Sequence, residues 1–101
     1  MSAINREKEA AIAASDIKEW ISYNPKTGEF RWIKNRKRVK VGHIAGSISA
    51  EGYCRVKYNH ITIQAHRLAW FYYYGEFPNF IIDHIDNNKT NNRIQNLRVL
   101  S

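Results

Sequence analysis

The sequence is short of several things at once: 101 residues hold one cysteine, two prolines, and nine acidic residues against sixteen Lys and Arg. Each shortage excludes something. The single cysteine, Cys54, rules out an internal disulfide and any multi-cysteine zinc site, and it fits a reducing, cytoplasmic setting. The four histidines show no zinc-type spacing, so no zinc is expected. No apolar run approaches the ~20 residues a bilayer-spanning helix needs. The opening stretch, MSAINREKEAAIAAS, lacks the apolar core of a secretory signal. The expectation is a protein neither secreted nor inserted in a membrane.

What is present suffices for one compact domain. Apolar residues make up 44% of the chain and aromatic rings 13%, so large rings supply much of the buried area. The pattern predicts an α+β fold, with a small antiparallel β-sheet and short flanking helices. Residues 1–14 are rich in Ala, Glu, Lys and Arg but carry a thin apolar face, which predicts a helical arm, frayed or dependent on a partner. Asp16 and Glu19 have capping-box spacing ahead of Ile17, Trp20 and Ile21. Asn24 to Gly28 is turn chemistry, followed by a strand from Glu29 to Ile33. Asn59-His60 separates two β-rich stretches as a tight hairpin. Helical spacing then runs from His66 to Tyr74 until Gly75 and Pro78 end it. An apolar strand, a long Asn-rich loop and a second short strand fill residues 80–101. Three parts result: the arm (1–14), a basic sheet with its helix (15–77) and the closing segment (78–101).

The charge is concentrated. Between residues 31 and 67 stand Arg31, Lys34, Arg36, Lys37, Arg38, Lys40, Arg55, Lys57 and Arg67 against the single acid Glu51, a local +8, while the rest of the chain nets −1 to give the overall +7. One face or loop system therefore carries the field, and its natural partner is a polyanion. These nine residues are the candidate phosphate contacts. Arg55 and Lys57, two apart, share a strand face. For His66 and Arg67 a structural role, pinning the helix, competes with phosphate contact. Trp20, Trp32, Trp70 and the Phe71–Tyr74 run read as core rather than base-stacking surface, although one exposed Tyr in that run suits either use.

The densest reactive cluster is Ile82-Asp83-His84-Ile85-Asp86-Asn87-Asn88-Lys89, then Asn91-Asn92-Arg93 and Asn96-Leu97-Arg98. Asp83 and His84 place a hard oxygen donor beside a group that exchanges a proton near neutrality, which suits metal-assisted hydrolysis. The competing reading is structural: the pair caps a strand and the asparagines form Asx-turns.

IDHIDNNKTNNRIQNL resembles, nearly position for position, the motif of the HNH endonucleases of phages and group-I introns. Tyr23, Pro25, Thr27-Gly28, Phe30, Trp32, Gly42, Ala45-Gly46, Gly52-Tyr53 and Ala65-His66-Arg67-Leu68-Ala69-Trp70 follow the same family's lead-in. The resemblance covers residues 17–101. It implies a ββα-metal fold with Asp83 as a metal ligand and His84 as the general base. Asn96 would tie the loop and steady the His by side-chain hydrogen bonds. It also implies Mg²⁺ (or Mn²⁺) as cofactor, double-stranded DNA as partner, and products with 3′-hydroxyl and 5′-phosphate ends. Asp83 and His84 should then sit side by side at a strand tip, sharing one ion and one phosphate. The family's third signature residue would fall near position 105, beyond Ser101. An incomplete hairpin lacking its closing helix is therefore expected, with cleavage latent or lost. The rival expectation is a non-catalytic protein of the same scaffold that binds a host or phage protein complex.

Overall fold

The computed structural model describes residues 4–100. Along the chain lie α1 (Arg6–Ala13), α2 (Ile17–Trp20), β1 (Ile21–Tyr23), β2 (Phe30–Trp32), β3 (Ser47–Ile48), β4 (Cys54–Tyr58), β5 (Ile61–Gln64), α3 (Ala65–Tyr74), β6 (Ile81–His84), a 3-10 turn at Ile94–Asn96 and β7 (Leu97–Leu100). The α+β class is as expected, but the strands divide among three small antiparallel sheets, β1–β2, β3–β4–β5 and β6–β7. The division has a packing reason. Each sheet is too short to close a core alone, and each lays its apolar residues toward α3, whose Ala65, Leu68, Ala69 and Phe71 are buried. Phe30 of β2 meets Tyr72 edge-on at 5.5 Å. Val56 and Ile63 supply the middle sheet's share of the core, and Ile82 and Leu97 supply that of the β6–β7 hairpin.

Turn chemistry sets the joints. Asn59 and His60 both adopt positive φ (49° and 67°), the two left-handed residues of a tight hairpin between β4 and β5. Gly75 ends α3 at φ 87°, its N–H donating to Phe71 O at 2.9 Å.

Two expectations change. The arm is not frayed: α1 is capped by Asn5, whose side chain accepts from Lys8 N at 3.0 Å, and Ile12 is buried in the core. What tethers it is an ion pair between Glu9 and Arg67, both buried, which a charge-rich helix read by itself does not reveal. The arm's first three residues, and Ser101 at the other end, lie outside the described residues. The Asp16–Glu19 capping box does not form either. Asp16 instead accepts from Tyr58 Oη and from Trp20 Nε1 at 3.1 Å, so its carboxylate is committed to two side-chain donors and not to the helix N–H groups. The Tyr58 hydrogen bond is the main cause that holds Asp16 below the usual carboxylate range.

Candidate active site

β6 and β7 pair with Asp83 opposite Arg98 and His84 opposite Leu97. Consecutive strand residues point to opposite faces, and the burial of β6 alternates accordingly: Ile82 and His84 face the core, Ile81 and Asp83 the outside. The two side chains therefore keep different company. Asp83 Oδ2 accepts from Arg98 Nε at 3.0 Å and pairs with its Nη2 at 2.9 Å. His84, 5% exposed, lies 5.1 Å from the His66 ring and 6.2 Å from the Tyr53 ring, centroid to centroid. The strand pleat, which reaches to the last residue of β6, thus gives the two neighbours different surroundings, Asp83 against Arg98 and His84 against His66, Tyr53 and Asn92, where the sequence suggested one shared environment.

His84 Nε2 lies 2.9 Å from Asn92 Oδ1. A carbonyl oxygen cannot donate, so Nε2 is the donor of this hydrogen bond, and in the neutral ring the lone pair then sits on Nδ1. That is the tautomer a proton acceptor needs. Asn92 is 2% exposed and is fixed from three sides. Its carbonyl accepts from Tyr23 Oη at 2.5 Å, and the next peptide but one is tied by Ile94 N donating to Pro25 O at 3.1 Å. Gly28, at φ 79°, packs so closely that a Cβ there would lie 2.6 Å from Asn92 C and Arg93 N. The turn of residues 24–28 thus works as a clamp on the segment that orients His84.

Asn96 braces the loop between the strands, though not His84 itself. Its Nδ2 donates to Asp86 Oδ1 and to Asn91 O, both at 2.9 Å, and its Oδ1 accepts from Asp86 N at 3.1 Å. The expected hydrogen bond to the histidine comes from Asn92 instead. Asp86 is the hub of the loop, accepting also from Asn91 Nδ2 at 2.8 Å and Asn88 N at 2.8 Å. These donors, Asn91 first, hold its carboxyl below the usual range, so the loop keeps its charged hub well into acid.

His66 and Tyr53 complete the surroundings of His84. His66, in the first turn of α3, is 2% exposed and is pushed down to about 3 by burial first, then by its electrostatic interactions with His84 and Arg67. It is neutral at physiological pH and places no charge of its own beside His84. Lys89 reaches over the outer side of the Tyr53 ring at 4.7 Å and donates to Glu51 O at 3.0 Å.

The basic residues sort into three groups. Lys34 and Arg36 lie over the Trp20 ring at 5.0 and 4.9 Å, and Arg36 is also 5.8 Å from Trp32 and 5.3 Å from Tyr58. Arg36, Lys37, Arg38 and Lys57 line a cavity of about 490 Å³, and Lys40 lines a neighbouring one with Arg36 and Arg38. Arg55 shares the exposed face of β4 with Lys57. Arg31 is partly committed, to Glu29 at 3.1 Å and Gly42 O at 2.6 Å. Arg67 leaves the set of phosphate candidates. It is buried, paired with Glu9, and donates to Pro78 O at 2.5 Å and Phe80 O at 2.8 Å.

Among the described residues no group of three or more His, Cys, Asp or Glu could hold a metal ion. Of the hairpin's two carboxylates, Asp86 is taken up by the hydrogen bonds of the loop, and Asp83 has a partly exposed side chain. Magnesium keeps several waters and takes one or two carboxylates plus substrate phosphate, so this donor fits a hydrated ion and not a caged one.

The HNH endonuclease family matches residues 64–101. Among solved structures, the HNH homing endonuclease I-HmuI, which binds and cleaves DNA, matches with a TM-score of 0.61 and 30% identity. The match covers 86% of this chain and 51% of that one, so the chain spans about half its length. No curated protein matches. HNH endonucleases generally use divalent metal ions.

Proposed function

We propose that this chain, a member of the HNH endonuclease family through residues 64–101, is a DNA-binding domain whose metal-dependent phosphodiester cleavage is latent. The observation that carries the reading is the His84–Asn92 hydrogen bond at the end of β6, which leaves Nδ1 as the proton acceptor. In the reaction, His84 Nδ1 takes a proton from water as the water oxygen forms a bond to phosphorus. The P–O3′ bond breaks, leaving a 5′-phosphate and a 3′ oxygen that takes a proton from solvent water to become the 3′-hydroxyl. Asp83 would hold Mg²⁺ or Mn²⁺, which supplies positive charge where the phosphate and leaving oxygen become more negative. Asn92 orients the imidazole, and Asn96 with Asp86 keeps the loop that carries Asn92 in place.

Two features make cleavage latent. The Asp83 carboxylate is engaged by Arg98, and the His84 ring is closed in by Tyr53, His66 and Asn92. The same features favour a second reading, a non-catalytic protein that uses the scaffold to bind a protein complex. Plasmid nicking with Mg²⁺ or Mn²⁺ separates the two: slow nicking abolished by His84→Ala supports the nuclease, and none at any metal concentration refutes it.

Arg98→Gln should release the carboxylate. The Asp83–Arg98 pair is partly exposed, so it is worth about 0.2–1 kcal/mol, and Mn²⁺ should bind about 1.4- to 5-fold more tightly. Titration followed by Mn²⁺ electron paramagnetic resonance reads this directly, and an unchanged affinity would show that Arg98 does not compete for the carboxylate.

DNA binding is assigned to Lys34, Arg36, Lys37, Arg38, Lys40, Arg55 and Lys57. Three aromatic rings hold the Arg36 guanidinium in place, which reduces the ordering cost when a phosphate arrives. Affinity should fall steeply with salt, each contact contributing about 0.9 to the slope of log K against log salt. Lys57→Gln should lower that slope by about 1. A slope near zero in the unaltered chain would reject the basic surface as the DNA site.

A further inference from the structure

The segment that orients His84 also borders a cavity away from the basic surface. The cavity, of about 390 Å³, is lined by Pro25, Lys26, Tyr73, Arg93, Ile94 and Gln95. Its two charged residues are both cations. Tyr73 is 54% exposed, as is Tyr74, and their rings lie 4.9 Å apart, while Tyr74 also packs 4.4 Å from Trp70. The last turn of α3 therefore carries an aromatic ledge that the core does not use. Phe71 and Tyr72 on the same helix turn inward, Tyr72 donating to Ile21 O at 2.7 Å. The cavity is also joined to the candidate active site through the backbone, since Arg93 directly follows Asn92, and Pro25 O holds Ile94 N at 3.1 Å.

We propose that this cavity binds an unpaired nucleotide, with the base stacked on Tyr73 and its phosphate between Lys26 and Arg93. The inference rests on the nucleic-acid reading above and adds to it a site for a single-stranded or flipped-out base. The chemistry is that of single-strand recognition, in which aromatic faces take bases and flanking cations take the backbone. A purely basic surface would serve duplex backbone, and a purely apolar one a protein. Here both kinds of group share one opening, and no acid lines it. Such a nucleotide would lie against Arg93 while Asn92 faces His84, so the base held at Tyr73 would belong to the strand presented for cleavage.

The test uses the full chain and a fluorescein-labelled oligothymidylate, with a duplex of mixed sequence as comparison. A Tyr73→Ala variant should bind the single strand about 5- to 150-fold more weakly, the range for loss of one base–aromatic stack. Tyr73→Phe should bind like the unaltered chain, because the ring remains. Duplex affinity should change little in either variant. An oligonucleotide carrying 5-iododeoxyuridine should photocrosslink to Tyr73. Folded Tyr73→Ala protein that binds the single strand as well as the unaltered chain, while Arg36→Gln weakens duplex binding, would overturn this inference and leave the DNA reading intact. Failure of the unaltered chain to bind any DNA, or capture of a protein on this ledge in its place, would overturn the inference along with the reading it rests on.

Discussion

Replacing Arg67 with alanine should destabilise the fold by about 3–5 kcal/mol, the cost of breaking a buried ion pair from one side. The Arg67 and Glu9 side chains are 3% and 9% exposed, and the guanidinium also donates to the Pro78 and Phe80 carbonyls. Removing it leaves a buried carboxylate with no counter-charge and two carbonyls short of a donor. Domains of this size are stable by about 5–15 kcal/mol, so the loss takes a large share. Glu9→Gln should cost less, because Arg67 keeps both carbonyls and a neutral amide replaces the carboxylate. Arg67→Lys should fall between, since one ammonium cannot span Glu9 and two carbonyls as a fork does. Urea denaturation followed by circular dichroism measures all three, and a loss below 1 kcal/mol for Arg67→Ala would mean the pair is better solvated than its burial implies.

The same pair links stability to the candidate site. Arg67 sits in the first turn of α3, one residue after His66, and its two carbonyl partners lie in the segment that leads into β6. α1 therefore helps to position His84 without approaching it. A helix of charged residues with a thin apolar face gives no hint of this in sequence, because its decisive contact is between two charges 58 positions apart.

Local chemistry was legible wherever neighbours in sequence decide it. The Asn59-His60 hairpin, the α3 helix ended by Gly75, and the two strands bracketing an Asn-rich loop all follow from turn residues and periodicity. The assignment of Asn96 as a loop brace also followed from its place in the motif. What sequence did not supply was the direction of side chains at the strand end. Adjacent Asp and His look like one chemical unit on paper, but the pleat sends His84 inward and Asp83 toward Arg98. Nor could spacing say which of Asn88, Asn91, Asn92 and Asn96 reaches back to the imidazole. That choice is made by Tyr23, Gly28 and Pro25, about 65 positions upstream, where a turn motif was visible but its target was not. The division into three sheets was hidden for a related reason, since each strand's partner surface is α3.

His84→Ala should lower any metal-dependent nicking by about 10²–10⁴-fold, the usual contribution of a general base, with DNA affinity unchanged. Asn92→Leu tests the orienting role separately. Leucine fills a similar volume but offers no acceptor to Nε2–H, so the imidazole loses the bond that fixes its tautomer. Nicking should fall about 10–100-fold, as when the partner that orients a catalytic histidine is removed, and the loss should appear in kcat rather than KM. A readout independent of activity comes from long-range nitrogen–proton spectra of the histidine rings. The unaltered chain should show His84 protonated at Nε2 with Nδ1 bare, and Asn92→Leu should show a mixture of tautomers. Were His84 to carry its proton on Nδ1 in the unaltered chain, the lone pair would face Asn92, no base would be available to water, and the DNA-binding role would stand without the chemistry.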